Sequence, residues 1–246
     1  LILPEQTIDS IEIIGGVDEV GRGPLAGPVV ACTAVFGGKV KIEGLRDSKK
    51  LSAKQRQKLR VEILREAMDI SVSFVSEDEI DKLNIYQASL RAMGDSFHAL
   101  RVKPSRLLVD AVTIPRVPVP QEAIVRGDSI EPCIMAASIM AKEARDEYMQ
   151  KLGEQNPGYG LEKHKGYGTR QHLEALRDLG VLSCHRRSFR PVMEAILQSA
   201  ERVKQELNQL NSSGIVHFVQ RARSMGLENK LHSHHQILNE ALSIHR

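Results

Sequence analysis

The sequence predicts an α/β fold, with helices covering a sheet in the first half of the chain and a helical second half. Strand-like and helix-like segments alternate over about residues 11–130, the pattern of a sheet flanked by helices. Beyond Pro132 the apolar residues recur only at helical spacing. The chain has 246 residues and 41% hydrophobic content, enough for one large domain with a helical annex. With 4% aromatics and no Trp, its core must be largely aliphatic.

In chain order, the apolar run Ile11 to Val17 reads as a buried strand interrupted at Glu12, with Asp18 and Glu19 at its end. A loop rich in Gly and Pro, Gly21 to Pro28, follows. Val29 to Phe36 is a second buried strand, and Lys39 to Ile42 an edge or loop. Ser52 with Gln55 forms a capping box for a helix whose face is Leu59, Ile63 and Ala67. Asp69 to Ser76 alternates as a half-buried strand. Asn84 caps a helix that should face the core with Tyr86, Leu90, Met93, Phe97 and Leu100, and Pro104 stops it. Leu107 to Asp110 is a short strand ending in a carboxylate. Pro115, Pro118 and Pro120 mark an irregular connection to a short strand at Ala123 to Val125. Pro132 opens a helix with a stripe at Ile134, Ala137, Ala141, Ala144 and Tyr148. A loop runs from Pro157 to Thr169. Leu173, Leu176 and Leu179 mark one more helix, and Pro191 opens a last one to about Leu210.

Four carboxylates stand out: Asp18, Glu19, Asp110 and Asp128 each follow an apolar segment, at a strand end or in the loop beyond it. Ligands collect at such ends in α/β sheets. Gathered carboxylates repel unless a cation neutralises them. Two Mg²⁺ or Mn²⁺ ions roughly 3.5–4 Å apart would do so and form a clamp suited to phosphodiester cleavage. The alternative is that these are ordinary turn acids.

Gly21-Arg22-Gly23 either permits a sharp turn or lets a nucleic-acid backbone approach closely. A dinucleotide loop, as in an oxidoreductase, fits poorly. The glycine spacing is one residue too long, Pro24 and Pro28 lack amide protons, and Asp18 and Glu19 would repel a pyrophosphate. Lys163 to Arg190 holds seven Lys or Arg against two acids, a local charge of +5 in a chain whose formal net charge is +3. This suits phosphate contacts, and Tyr167 could stack on a sugar or base. A solvated basic face with a packed Tyr is the other reading. His232, His234 and His235 read as an exposed tract with incidental metal affinity.

Cys32, Cys133 and Cys184 are odd in number and far apart, which argues against a disulfide scaffold or zinc ribbon. There is no apolar run of membrane-span length and no signal-peptide pattern, so a cytoplasmic location is expected.

The segments GVDEVGRGPLAGPVVACTAVF, LRDSKKLSAKQR, LLVDAV, GDSIEPCIMAASIMAKEARDEYM, HKGYGTRQH and HRRSFRPV, in order from about Ile13 to Val192, resemble bacterial ribonuclease HII, the type 2 ribonuclease H. The resemblance implies a ribonuclease H-like mixed sheet of about five strands with a helical C-terminal region. It implies cleavage of the RNA strand of RNA–DNA hybrids, and incision 5′ of ribonucleotides embedded in duplex DNA, leaving 3′-hydroxyl and 5′-phosphate ends. Asp18, Glu19, Asp110 and Asp128 match the family's metal-binding acids. Gly21, Arg22 and Gly23 match its backbone-contacting motif, Tyr167 its junction-sensing tyrosine, and Lys49 a phosphate-contacting position. Mn²⁺ or Mg²⁺ is the implied cofactor, and the expected working form is a monomer. The catalytic unit is expected over 1–192, with its sheet core at about 11–130 and its helical part at about 131–192. Residues 193–246 are expected to be a C-terminal helix and a poorly patterned tail, in which no clear clamp-binding motif is visible. Many family members carry Gly-Asn after the third acid, where this chain has Ala111-Val112. A catalytically silent hybrid-binding protein is the alternative that this departure raises.

Overall fold

The computed structural model describes residues 12–209. Five strands form one mixed sheet, ordered β3-β2-β1-β4-β5. β1 (Ile13–Val20) lies in the centre, antiparallel to β2 (Val29–Gly37) and parallel to β4 (Arg106–Asp110). β3 (Asp69–Val75) and β5 (Gln121–Ile124) are the edges.

Side chains alternate across the sheet, and each face has its own core. Val17, Val29, Ala31, Val35, Leu107 and Val109 pack on one face with Ala88, Ala92, Met93 and Phe97 of α3 (Ile85–His98). Cys32, Ala34, Phe36 and Leu108 pack on the other with α1 (Ala53–Glu66) and the long helix α5 (Pro132–Gln155). α5 comes close to β1 because Gly16 has no side chain: a Cβ there would lie 2.2 Å from the Cys133 carbonyl. The capping box at Ser52 and Gln55 forms as expected.

Several sequence expectations need correction. β1 runs on to Val20, so Asp18 and Glu19 lie inside the strand, paired with Cys32 and Ala31 of β2. The flanking strand supplies enough partners to keep even two acids extended. The expected start at Ile11 falls outside the described residues. Tyr86 is exposed rather than core-facing, because α3 turns Ala88, Ala92 and Met93 to the sheet instead. Tyr148 and Leu179 are exposed too. Beyond Ala141 the buried stripe of α5 continues through Arg145 and Met149. Three further helices, α2 (Glu77–Leu83), α4 (Gly127–Ile130) and α6 (Leu161–His164), were unmarked by hydrophobic period. α6 lies within the expected Pro157–Thr169 loop, and α4 carries Asp128. The signal for α2 was its own capping box, Ser76 with Glu79.

Among the described residues the second half is helical: α5, α6, α7 (Arg170–Asp178) and α8 (Arg190–Gln209). The chain divides into two compact units between Ala195 and Ile196, inside α8. Leu210, His232, His234 and His235 lie outside the described residues, as does the tail from Gly214.

Candidate active site

Two sets of groups meet where β1 and β4 end. The first is acidic. In the parallel pairing of these strands Val17 is opposite Val109, so Asp18 and Asp110 follow side by side and project toward the α5 face. The Asp110 carboxylate accepts the Gly127 amide at 2.8 Å, which ties the end of β4 to the first turn of α4 and to Asp128. Backbone strain collects here. Ala111 and Arg126 hold φ of 57° and 59°, in the left-handed region that disfavours a side chain. Relative to a glycine, Ala111 therefore carries a conformational cost of about 1 kcal/mol.

The acids raise one another's proton affinity. Burial, then the charges of Glu19 and Asp110, hold the Asp18 carboxyl well above the usual carboxylate range, against a lowering influence from the Ser138 hydroxyl. Burial raises Glu19, opposed by Arg22, with Asp110 adding to the rise. Burial and then Asp128 raise Asp110. Two cations answer this field. Lys49 Nζ donates to Asp128 Oδ2 at 3.0 Å, and Arg22 approaches Glu19 Oε1 at 3.5 Å. The bond to Asp128 raises the Lys49 ammonium in turn.

Carboxylate oxygens around a hard cation are the donor set of Mg²⁺ and Mn²⁺ sites. Four acids, three of them held up by burial and neighbouring charge, fit such ions. Among the described residues, however, no three His, Cys, Asp or Glu side chains already close around one point. Lys49 and Arg22 instead each pair with one of the acids, Asp128 and Glu19.

The second set is a clasp of loops. The segment after β1 is bound to two distant ones: Leu25 N–H donates to Gly166 O at 2.7 Å, Gly27 N–H to Cys184 O at 2.9 Å, and Arg186 N–H to Leu25 O at 2.8 Å. Tyr167 thereby comes to Gly23, where an added Cβ would lie 3.5 Å from the Tyr167 ring. Gly21 adopts φ 96°, and a Cβ there would fall 2.3 Å from Arg145 Nε, so this position excludes any side chain.

Two buried arginines hold the clasp, and sequence reasoning missed both as functional residues. Arg186 was read as part of a phosphate-facing basic stretch. It is fully buried, and its guanidinium donates to the carbonyls of Gly21 at 2.6 Å, Arg22 at 3.0 Å and Gly27 at 2.9 Å. Arg145 donates to Pro28 O, Ala26 O and Lys165 O. Burial, then the charge of Arg145, lowers the Arg186 guanidinium to about 9. The trans peptide sets N–H opposite C=O. With the carbonyls of Gly21 and Arg22 turned toward Arg186, the amides of Arg22 and Gly23 point away from it. The one sequence signal for Arg145 was its place four residues from Ala141 and four from Met149, on the buried stripe of α5.

Of the predicted site residues, the structure brings Asp18, Glu19, Asp110, Asp128 and Lys49 into one charged group. It brings Gly21, Arg22, Gly23 and Tyr167 into the adjoining clasp.

The chain is similar to known proteins in sequence and in fold. The family model described as Ribonuclease HII matches residues 15–192. This chain belongs to the ribonuclease HII family. A ribonuclease HII of Staphylococcus saprophyticus is 45% identical over 184 residues, covering 75% of this chain and 72% of that protein. One of Myxococcus xanthus is 52% identical over 184 residues, covering 74% of this chain and 63% of that protein. The crystal structure of the ribonuclease H2 of Pyrococcus horikoshii superposes with a TM-score of 0.64 at 26% identity, covering 76% of this chain and 98% of that one. The fold is therefore ribonuclease H-like, and the chain is a ribonuclease H, an endonuclease that hydrolyses the RNA of RNA–DNA hybrids. Family membership brings dependence on a divalent metal. Among the described residues no helix is long and apolar enough to cross a membrane.

Proposed function

We propose that this ribonuclease HII-family enzyme also incises duplex DNA on the 5′ side of an embedded ribonucleotide, leaving 3′-hydroxyl and 5′-phosphate ends, with two divalent ions held by Asp18, Glu19, Asp110 and Asp128. The observation that carries this reading is the adjacency of Asp18 and Asp110 at the ends of parallel strands, both carboxyls raised by burial and neighbouring acids. When bound, such ions supply Lewis acidity to the attacking water and the leaving 3′-oxygen.

The chain's own residues hold and select the strand. The Gly127 amide fixes the Asp110 carboxylate, and the Ser138 hydroxyl lies against Asp18, so both acids are oriented before substrate arrives. The Lys49 side chain is 79% exposed and tethered only through its ammonium. It is free to leave Asp128 for a phosphate oxygen once the acid has a stronger cation. The outward amides of Arg22 and Gly23 can donate to the backbone at the ribonucleotide, and the 2′-hydroxyl is the group that distinguishes it from DNA. Tyr167, 44% exposed beside Gly23, stacks on the sugar of the junction. The proposed working form is a monomer. The cellular roles that follow are removal of ribonucleotides from DNA and of RNA primers in replication.

The test is a duplex DNA carrying one ribonucleotide, incubated with Mg²⁺ or Mn²⁺, with the ends mapped. One cut 5′ of the ribonucleotide is the expected outcome. Folded protein that cleaves a continuous hybrid and leaves this duplex intact contradicts the proposal.

A further inference from the structure

Behind the Tyr167 loop lies a row of buried histidines outside the acid group. His172 on α7 places Nδ1 3.0 Å from Tyr167 O. Its Nε2 is 3.0 Å from Nε2 of His185, and the His185 Nδ1 receives the Leu182 amide at 2.9 Å. Both rings are buried, and His164 stacks on His172 at 4.6 Å between centroids.

The direction of this chain is fixed from one end. A backbone amide can only donate, so His185 Nδ1 carries no proton. A neutral imidazole then has its proton on Nε2 and donates it to His172 Nε2. His172 must carry its own proton on Nδ1, pointed at the Tyr167 carbonyl. That carbonyl also accepts the Thr169 amide at 2.8 Å, so both of its lone pairs are used. A second proton on either ring would set N–H against N–H. Burial lowers both imidazoles, His185 to about 4, which keeps the chain neutral near pH 7.

We infer that His172 and His185 are positioning residues: their one-way hydrogen-bond chain holds the Tyr167 backbone, and with it the ring against Gly23, so that the enzyme discriminates a single ribonucleotide in DNA. This rests on the junction-reading role of Tyr167 proposed above. A continuous hybrid presents a 2′-hydroxyl at every step of its RNA strand and tolerates a displaced Tyr167. A lone ribonucleotide offers one junction and does not.

The experiment compares kcat/KM on a single-ribonucleotide duplex and on a continuous hybrid for two variants at one position. The amide nitrogen of Asn falls near Nδ1 of the ring it replaces, and that of Gln near Nε2. His172→Gln should therefore lose the bond to Tyr167 and lower the ratio of the two activities about tenfold, the effect of one well-placed hydrogen bond. His172→Asn should restore the ratio to within about twofold of wild type. In a Tyr167→Ala background His172→Gln should change the ratio no further. Should His172→Gln fail to fold, His185→Asn, whose amide reaches only the Nδ1 position and so leaves the His172 tautomer unset, carries the same expectation. Equal losses on both substrates, an unchanged ratio, or an additive loss in the Tyr167→Ala background overturns the inference. Tyr167→Ala alone separates the two proposals. If it leaves the ratio unchanged, the reading of Tyr167 itself fails. If it lowers the ratio while the histidine variants do not, only the positioning role fails.

Discussion

The acid group and the loop clasp are neighbours built on opposite electrostatic terms. Asp18, Glu19 and Asp110 are raised by burial and mutual repulsion, and the cations Lys49 and Arg22, the Ser138 hydroxyl and the Gly127 amide offset them only in part. In the clasp, Arg145 and Arg186 direct six guanidinium hydrogen bonds to backbone carbonyls, and the histidine chain spends each ring nitrogen of His172 and His185 once. One region holds charge that a cation would relieve. The other has its guanidinium and His172–His185 bonds made before any ligand binds. The part that must change partners during a reaction carries excess charge, while the buried arginines and the His172–His185 pair already have their partners.

The contrast is broken most severely at Asp18. Asp18→Asn should lower turnover roughly a thousandfold or more through loss of an ion ligand. It should also raise the melting temperature of the metal-free protein. The folded Asp18 pKa lies above its ordinary value, so ionising the group at neutral pH opposes folding, and wild type regains that stability only as pH falls through the raised pKa. Activity lost together with stability would show that Asp18 serves the fold instead. On the other side, Arg186→Met leaves three carbonyls without this donor, those of Gly21 and Gly27 buried. It should cost about 3 kcal/mol in denaturant unfolding and lower activity on both substrates. A neutral result would mean that the clasp closes without Arg186.

The acid group was more legible in the sequence than the clasp, for a physical reason. Acids at the ends of apolar runs are local signals, and the parallel pairing of β1 and β4 turns two such ends into neighbours. Where the reading slipped, as with β1 ending at Val20 rather than Val17, the strand's partner set the boundary, and the partner is far away in sequence. The clasp depends almost wholly on such distant partners. Arg145 reaches Pro28 and Ala26, and Arg186 reaches Gly21, so a charged side chain that looked solvent-facing in its local pattern is buried by loops contributed elsewhere. Tyr167 was visible as an aromatic between glycines, yet His172 and His185 gave no periodic sign of their pairing.

Two smaller effects sharpen the comparison. His185, faced by His172 and the Tyr159 ring and adjoining Arg186, is lowered to about 4 from an ordinary 6.5. Its contribution is therefore fully present above about pH 6.5 and is lost as pH falls toward 4. The stability of wild type should exceed that of His185→Gln by a margin that shrinks by up to about 1.4 kcal/mol per pH unit across that window. Parallel pH curves for the two proteins would contradict the neutral chain. Ala111→Gly relieves the φ of 57° beside the third acid and should stabilise by about 1 kcal/mol in denaturant unfolding, with activity kept. Destabilisation would mean that the Ala111 side chain contributes packing that offsets its strain.

The central proposal, that the unsatisfied acids together form a divalent-metal site, is tested most directly by Mn²⁺ titration calorimetry on the metal-free protein at pH 7, with wild type, Asp18→Asn and Asp110→Asn side by side. Wild type should bind Mn²⁺ and gain thermal stability with it, and each variant should lose at least most of both effects. Mn²⁺ binding of undiminished affinity and stoichiometry in the two variants would contradict it.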